Sequence, residues 1–153
     1  IHVSVAEARE YINSYLNTYP GVKQYMEQIV EQSAKTGNVT TMFGRVRELP
    51  EIQSSNKNIR AFGERVALNT PIQGTAADII KIAMVRVYES LKQERLDARL
   101  ILQVHDELLI ESSIQDAPRA KEILKQQMEQ AVSLSVPMKV DVEEGKTWYD
   151  AKD

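Results

Sequence analysis

Cysteine is absent from the 153 residues, and histidine occurs only twice. The first absence excludes disulfides and thiolate metal sites. With so little histidine, carboxylates are left as the available metal ligands, which suits a hard ion such as magnesium or manganese. No apolar run approaches the roughly 20 residues of a membrane-crossing helix, so no membrane partner is expected. A glycine-rich phosphate loop, an internal repeat, a low-complexity run and a serine with an evident base partner are also missing. The opening Ile1-His2-Val3-Ser4 has neither signal-peptide character nor a starting methionine, so the chain is expected to be a piece of something longer.

What is present is an ordinary composition, 42% hydrophobic, enough for one modest core or two small ones. The net charge of −3 argues weakly against a nucleic-acid partner, but its distribution is uneven. Between Lys35 and Arg65 there are six basic residues and three acidic ones, a local +3 against −6 for the remainder. Such a segment is compatible with a localised phosphate-binding surface, and equally with a solvated stretch.

Ser4 followed by Glu7 is a capping-box signature, and Ala8, Tyr11, Ile12, Tyr15 and Leu16 recur at helical spacing, predicting a first helix from Val5 to Thr18. Pro20 suits the start of a second, with Val22, Tyr25, Met26, Ile29 and Val30 on its apolar face and Gly37 as its stop. The tyrosine stripe of this helical hairpin can be a stacking surface for bases, but its spacing favours core. Val39 to Met42 and Val46 to Leu49 around Gly44 read as a short β-hairpin with Arg45 and Arg47 near its turn. The polar Gln53-Ser54-Ser55-Asn56 is the best candidate for a subdomain junction.

A third helix is expected from Asn58, interrupted at Pro71, with Thr70 and Pro71 opening a fourth that carries Ala76, Ile79, Ile80, Ala83, Met84, Val87 and Leu91 to about Gln93. Arg65 and Asn69 share one face, and Gln73 continues the line. Their donors match purine N3 and pyrimidine O2, acceptors that every base pair offers in the minor groove. The competing reading, that they cap broken helix ends, is slightly favoured by the residues alone. Asp116 to Pro118 should start a fifth helix, and Met138 to Glu143 alternates as a half-buried strand. Trp148 and Tyr149 are expected to anchor the end of the chain to the core.

The pivotal stretch is Arg99 to Glu111, in which two apolar arms flank His105, Asp106 and Glu107: strand, tight turn, strand. Acidic residues in a turn are usually just a solvated loop. These arms, however, are too apolar for an exposed loop, and Gln103 and His105 need polar partners or solvent at the tip. Asp106 and Glu107 should point different ways if strand alternation governs them. One could hold a metal, though not alone; a phosphohydrolase built on His105 and Asp106 would need more histidines than the distant His2 offers.

Arg65-Val66-Ala67-Leu68-Asn69-Thr70-Pro71-Ile72-Gln73-Gly74-Thr75-Ala76-Ala77-Asp78-Ile79-Ile80-Lys81, followed by Gln103-Val104-His105-Asp106-Glu107, closely resembles the family A DNA polymerases of the bacterial DNA polymerase I type. The likeness extends through Tyr19 to Lys23, Val39 to Thr41 and Lys146 to Ala151, and so covers essentially the whole chain. It implies an α+β fold. A helical hairpin and a small β-hairpin at the end of the fingers (residues 1–55) would be followed by a partial palm (residues 56–153), with a short antiparallel sheet packed on long helices.

The resemblance also implies a DNA-directed DNA polymerase that adds deoxynucleotides to a primer 3′ end by two-metal nucleotidyl transfer in replication and repair. Asp106 would bind Mg2+ (Mn2+ possible), with Glu107 as a supporting acidic residue. Gln103 and His105 would lie near the primer terminus, and Arg65, Asn69 and Gln73 would contact template and primer. The partners would be primer-template DNA and deoxynucleoside triphosphates, in the bacterial cytoplasm at the nucleoid. The family's second metal-binding aspartate and its nucleotide-binding fingers helix have no counterpart in this chain. The piece alone is therefore expected to be inactive and prone to self-association through surfaces laid bare. Glu48 also departs from the pattern, standing where relatives usually carry an aromatic. The alternative reading is a non-catalytic duplex-DNA-binding module with the acidic tip as a structural turn.

Overall fold

In a computed structural model that describes residues 3–151, the chain divides into two compact units, the first ending at Thr75 and the second beginning at Ala76. His2 lies outside the described residues. The elements are helices and two separate two-stranded antiparallel sheets, an α+β arrangement as expected.

In the first unit, helix α1 (Val5–Thr18) starts on the expected capping box. The Glu7 amide donates to Ser4 Oγ at 3.2 Å and the Ser4 amide to the Glu7 carboxylate at 2.8 Å, so two of the helix's orphan donors are satisfied reciprocally. Helix α2 (Pro20–Thr36) opens on proline and ends at Gly37, whose φ of 71° suits a residue without Cβ. The tyrosine stripe is not core. No residue of α1 is buried, and Tyr11 and Tyr15 are 64% and 54% exposed. Helical spacing identifies an apolar face without saying what covers it, and nothing among the described residues of this unit does.

Strands β1 (Asn38–Thr40) and β2 (Val46–Glu48) form the expected hairpin, with Thr40 opposite Val46. A 3-10 turn (Pro50–Gln53) follows, and Val39, Leu49, Ile52 and Ala67 close a small core with Ile29 and Val66. Asn56 Oδ1 then accepts from the amides of Asn58 and Ile59, satisfying donors at the start of the next helix.

Helix α3 (Lys57–Gln93) corrects the sequence expectation of two helices. It is continuous for 37 residues with Pro71 inside it. Proline removes one rung of the ladder and crowds the preceding turn, at a cost of about 3 kcal/mol. The β1–β2 hairpin does not replace that rung but holds the turn that follows it. Arg45 Nη2 donates to the Gly74 carbonyl at 3.0 Å and the Met42 amide to Thr75 Oγ1 at 2.9 Å. Tertiary contacts have overridden a local rule.

In the second unit, Ala83, Val87 and Leu91 of α3 pack with Leu108, Ala120, Ile123 and Ala131. The helix thus covers the sheet of β3 (Ala98–Val104) and β4 (Glu107–Ser112), as expected. The β3–β4 register slips between Leu100 and Leu102, which leaves Ile101 as the bulged residue. Helix α4 (Ala117–Glu129) begins at the predicted Ala-Pro pair.

Two further expectations fail. Residues 138–143 form no strand, although Met138, Val140 and Val142 are half-buried and Lys139, Asp141 and Glu143 exposed. Alternation sets which side faces inward, but a strand also needs a ladder partner, and none of the described residues pairs with this stretch. Tyr149, 77% exposed, does not anchor the end of the chain, whereas Trp148, 40% exposed, borders a concavity shared with Leu108, Leu124 and Met128.

Candidate functional site

Two constellations carry chemistry, one in each unit. The first lies on α3, where the uninterrupted helix places Arg65, Asn69 and Gln73 at i, i+4 and i+8 on one exposed face. Because the helix does not break at Pro71, there are no broken ends for them to cap. The side-chain amides of Asn69 and Gln73 meet no partner among the described residues, and the Arg65 guanidinium stands 5.9 Å from the centre of the half-exposed Phe62 ring. Three donors are therefore presented outward along about two turns of rigid backbone. Arg47 Nη1 reaches Thr70 Oγ1 at 3.4 Å, and Arg45 is bonded to Gly74. Two cations of the basic segment are thus turned partly to structural use.

The second constellation is the tip of the β3–β4 hairpin. Val104 pairs with Glu107, leaving a two-residue turn of His105 and Asp106. His105 has φ +52°, whereas Asp106 is not among the positive-φ residues, so the unfavourable backbone of this two-residue turn falls on His105. Histidine there instead of glycine holds roughly 1–3 kcal/mol of local strain. Gln103 Nε2 donates to the His105 carbonyl at 2.5 Å and so ties the strand to its own turn.

Gln103, His105, Asp106 and Glu107 are all exposed. Asp106 and Glu107 border the same concavity of about 470 Å³, with Val104, Val140, Asp141 and Trp148 among its lining. Asp106 belongs to the turn and Glu107 opens β4, so strand alternation governs the second and not the first. Sequence reasoning missed this concavity and the bonding of Arg45, since both depend on segments distant in sequence.

The hard oxygen of an exposed turn aspartate fits magnesium or manganese. Among the described residues, no three histidine, aspartate or glutamate side chains stand close enough to hold a metal ion together. No helix of the described residues is long and apolar enough to cross a membrane.

Residues 1–150 match the family model for DNA polymerase family A, and the chain belongs to that family. It is 53% identical to DNA polymerase I of Bacillus caldotenax and 52% identical to that of Geobacillus stearothermophilus, each over 99% of this chain. The chain spans only 17% of the length of either relative. The solved POL domain of Pol1 from M. smegmatis, in complex with DNA primer-template and dNTP, is 41% identical with a TM-score of 0.95. That match covers all of this chain and 27% of the other.

Proposed function

We propose that this chain is the end of the fingers (residues 1–55) and part of the palm (residues 56–153) of a DNA-directed DNA polymerase. The whole protein would extend a primer 3′ end on a template with deoxynucleoside triphosphates, in replication and repair at the bacterial nucleoid. The observation that carries this is the exposed Asp106, held at the tip of an apolar-armed hairpin by a strained turn, in a chain that superimposes at 0.95 on a polymerase domain holding primer-template and dNTP.

Asp106 would hold Mg2+, with Mn2+ as a substitute, and Glu107 would support it from the same concavity. A pair of bound metal ions supplies activation of the primer hydroxyl and neutralisation of the departing pyrophosphate. The chain's own residues do the positioning. Gln103 and His105 flank the primer terminus, and Arg65, Asn69 and Gln73 donate to minor-groove acceptors common to all base pairs, sensing pair shape without reading sequence. With one carboxylate of the metal site, the piece alone is inactive.

The alternative, a non-catalytic duplex-binding module, draws on the same α3 face and needs no metal at Asp106. Asp106→Ala in the full-length polymerase separates the two readings. The expected outcome is loss of primer extension with primer-template affinity, measured by fluorescence anisotropy, nearly unchanged. Extension at the wild-type rate would remove Asp106 from the metal site and favour the binding module.

A further inference from the structure

Four small side chains on α3 form a seam: Gly63, Ala67, Thr70 and Gly74. At 100° per residue they fall within about 60° of one another around the helix, and the centre of the Arg65, Asn69 and Gln73 face lies about 130° away. The seam is gripped along its length. A Cβ at Gly63 would stand 2.6 Å from the Ile52 amide nitrogen, so the 3-10 turn lies directly against the helix backbone. Ala67 is fully buried, and Thr70 Oγ1 accepts from Arg47. A Cβ at Gly74 would meet Thr41 Cγ2 at 2.6 Å, while the Gly74 carbonyl accepts from Arg45 Nη2. The Met42 amide completes the grip on Thr75.

These contacts straddle Pro71, the one place in the helix where a ladder bond is missing and a kink is expected. Asn69 precedes the proline and Gln73 follows it. The course of the helix through this point therefore fixes the direction of one amide relative to the other. Arg45 holds the far side of the weak point.

We infer that Arg45 is a positioning residue: by holding the Gly74 carbonyl it sets the course of α3 past Pro71, and with it the alignment of Gln73 to Asn69. This rests on the proposed groove-reading role of the α3 face. A helix whose two amides are correctly spaced accepts a matched pair and penalises a distorted one. Loosening this hold should therefore reduce discrimination and turnover more than affinity.

The test uses the full-length polymerase with Arg45→Ala, Arg45→Lys, Gln73→Ala and the Arg45→Ala/Gln73→Ala double variant. Extension from matched and mismatched primer ends is measured beside the salt dependence of duplex binding. Arg45→Ala is expected to lower matched-end kcat roughly tenfold, as a small misplacement of a contact group does, and to narrow the matched-to-mismatched ratio. Its salt slope should stay that of the wild type. The double variant should be no worse than Gln73→Ala, because the two act through one contact, and Arg45→Lys should recover part of the loss, since its ammonium can still donate to the carbonyl.

Losses that multiply in the double variant would overturn the inference. So would a salt slope shallower by about one, the mark of a lost phosphate contact. A defective Gln73→Ala beside a normal Arg45→Ala would remove only the positioning role, whereas a normal Gln73→Ala would remove the groove reading beneath it as well. Should Arg45→Ala fail to fold, Arg45→Lys and Arg45→Gln carry the same comparison.

Discussion

The two β-hairpins of this chain treat their tips in opposite ways. At the β1–β2 tip the positive φ falls on Gly44, at 80°, and the turn is closed by Gly44 and Arg45 amides donating to Thr41. That tip is then bonded to α3 through Met42 and Arg45. At the β3–β4 tip the positive φ falls on His105, and the residues around it stay exposed. One turn places a permissive residue where the backbone demands it and spends its donors on support. The other accepts strain to keep an imidazole and a carboxylate presented. The contrast is between a tip bound to the helix beside it and a tip left to solvent.

The comparison breaks most sharply at Gly74. In Gly74→Ala the new methyl would meet Thr41 Cγ2, which belongs to a buried β-branched side chain with little freedom to move. Overpacking of this kind costs about 1–3 kcal/mol, against which alanine's better helix propensity returns up to about 1. We expect a net loss of about 1–2 kcal/mol in urea unfolding of the chain. Unchanged stability would mean that the first hairpin does not bear on the helix.

A smaller and opposed pair of effects follows from the two turns themselves. Gly44 has open space around it, so Gly44→Ala carries only the conformational penalty of a left-handed residue, about 1–2 kcal/mol. His105→Gly relieves strain of the same kind but frees the unfolded chain, which offsets about 0.4–1 kcal/mol of the gain. The expected result is a clear loss of stability for the first and a change within about 1 kcal/mol for the second. Chemical denaturation of both variants checks the pair. Equal losses would show that His105 is held for stability and erase the distinction.

Much of this was legible in the sequence, and what was not has specific causes. Ser4 and Glu7 announce α1 because a capping box is a contact between residues three apart. Asp106 at a hairpin tip is legible because apolar arms on both sides of a polar pair leave few other arrangements. Pro71 misleads because proline's cost is local while the contacts that hold the helix beside it, Arg45 among them, come from 26 positions away in sequence. Residues 138–143 mislead for a related reason: alternation predicts a face, but a strand exists only when a partner is present to complete its ladder. The tyrosines of α1 show the same limit for a helix face.

The finest difference between the hairpins is one of charge. The supports of the first include neutral acceptors, the Gly74 carbonyl and the Thr70 and Thr75 hydroxyls, with arginine donors that stay protonated. The flanks of the second are joined in part by an ion pair. Glu94, before β3, receives Arg119 of α4 at 2.6 and 2.7 Å. The hydrogen bonds from Arg119 hold the Glu94 carboxyl below the usual carboxylate range.

A lowered folded value means that this contribution is complete above the ordinary carboxylate pKa and is lost as pH falls through the lowered one. Glu94→Gln should therefore cost a little stability at neutral pH and nothing in strong acid, with the difference also shrinking in high salt because both partners are substantially exposed. Thr75→Val, by contrast, should cost the same at either pH, because the bond it removes joins a backbone amide to a hydroxyl and neither group titrates. Urea unfolding of both variants at neutral and acid pH measures this directly. A Glu94→Gln cost that persisted below the carboxylate range would mean that the neck of the second hairpin is held by packing, as the first hairpin is.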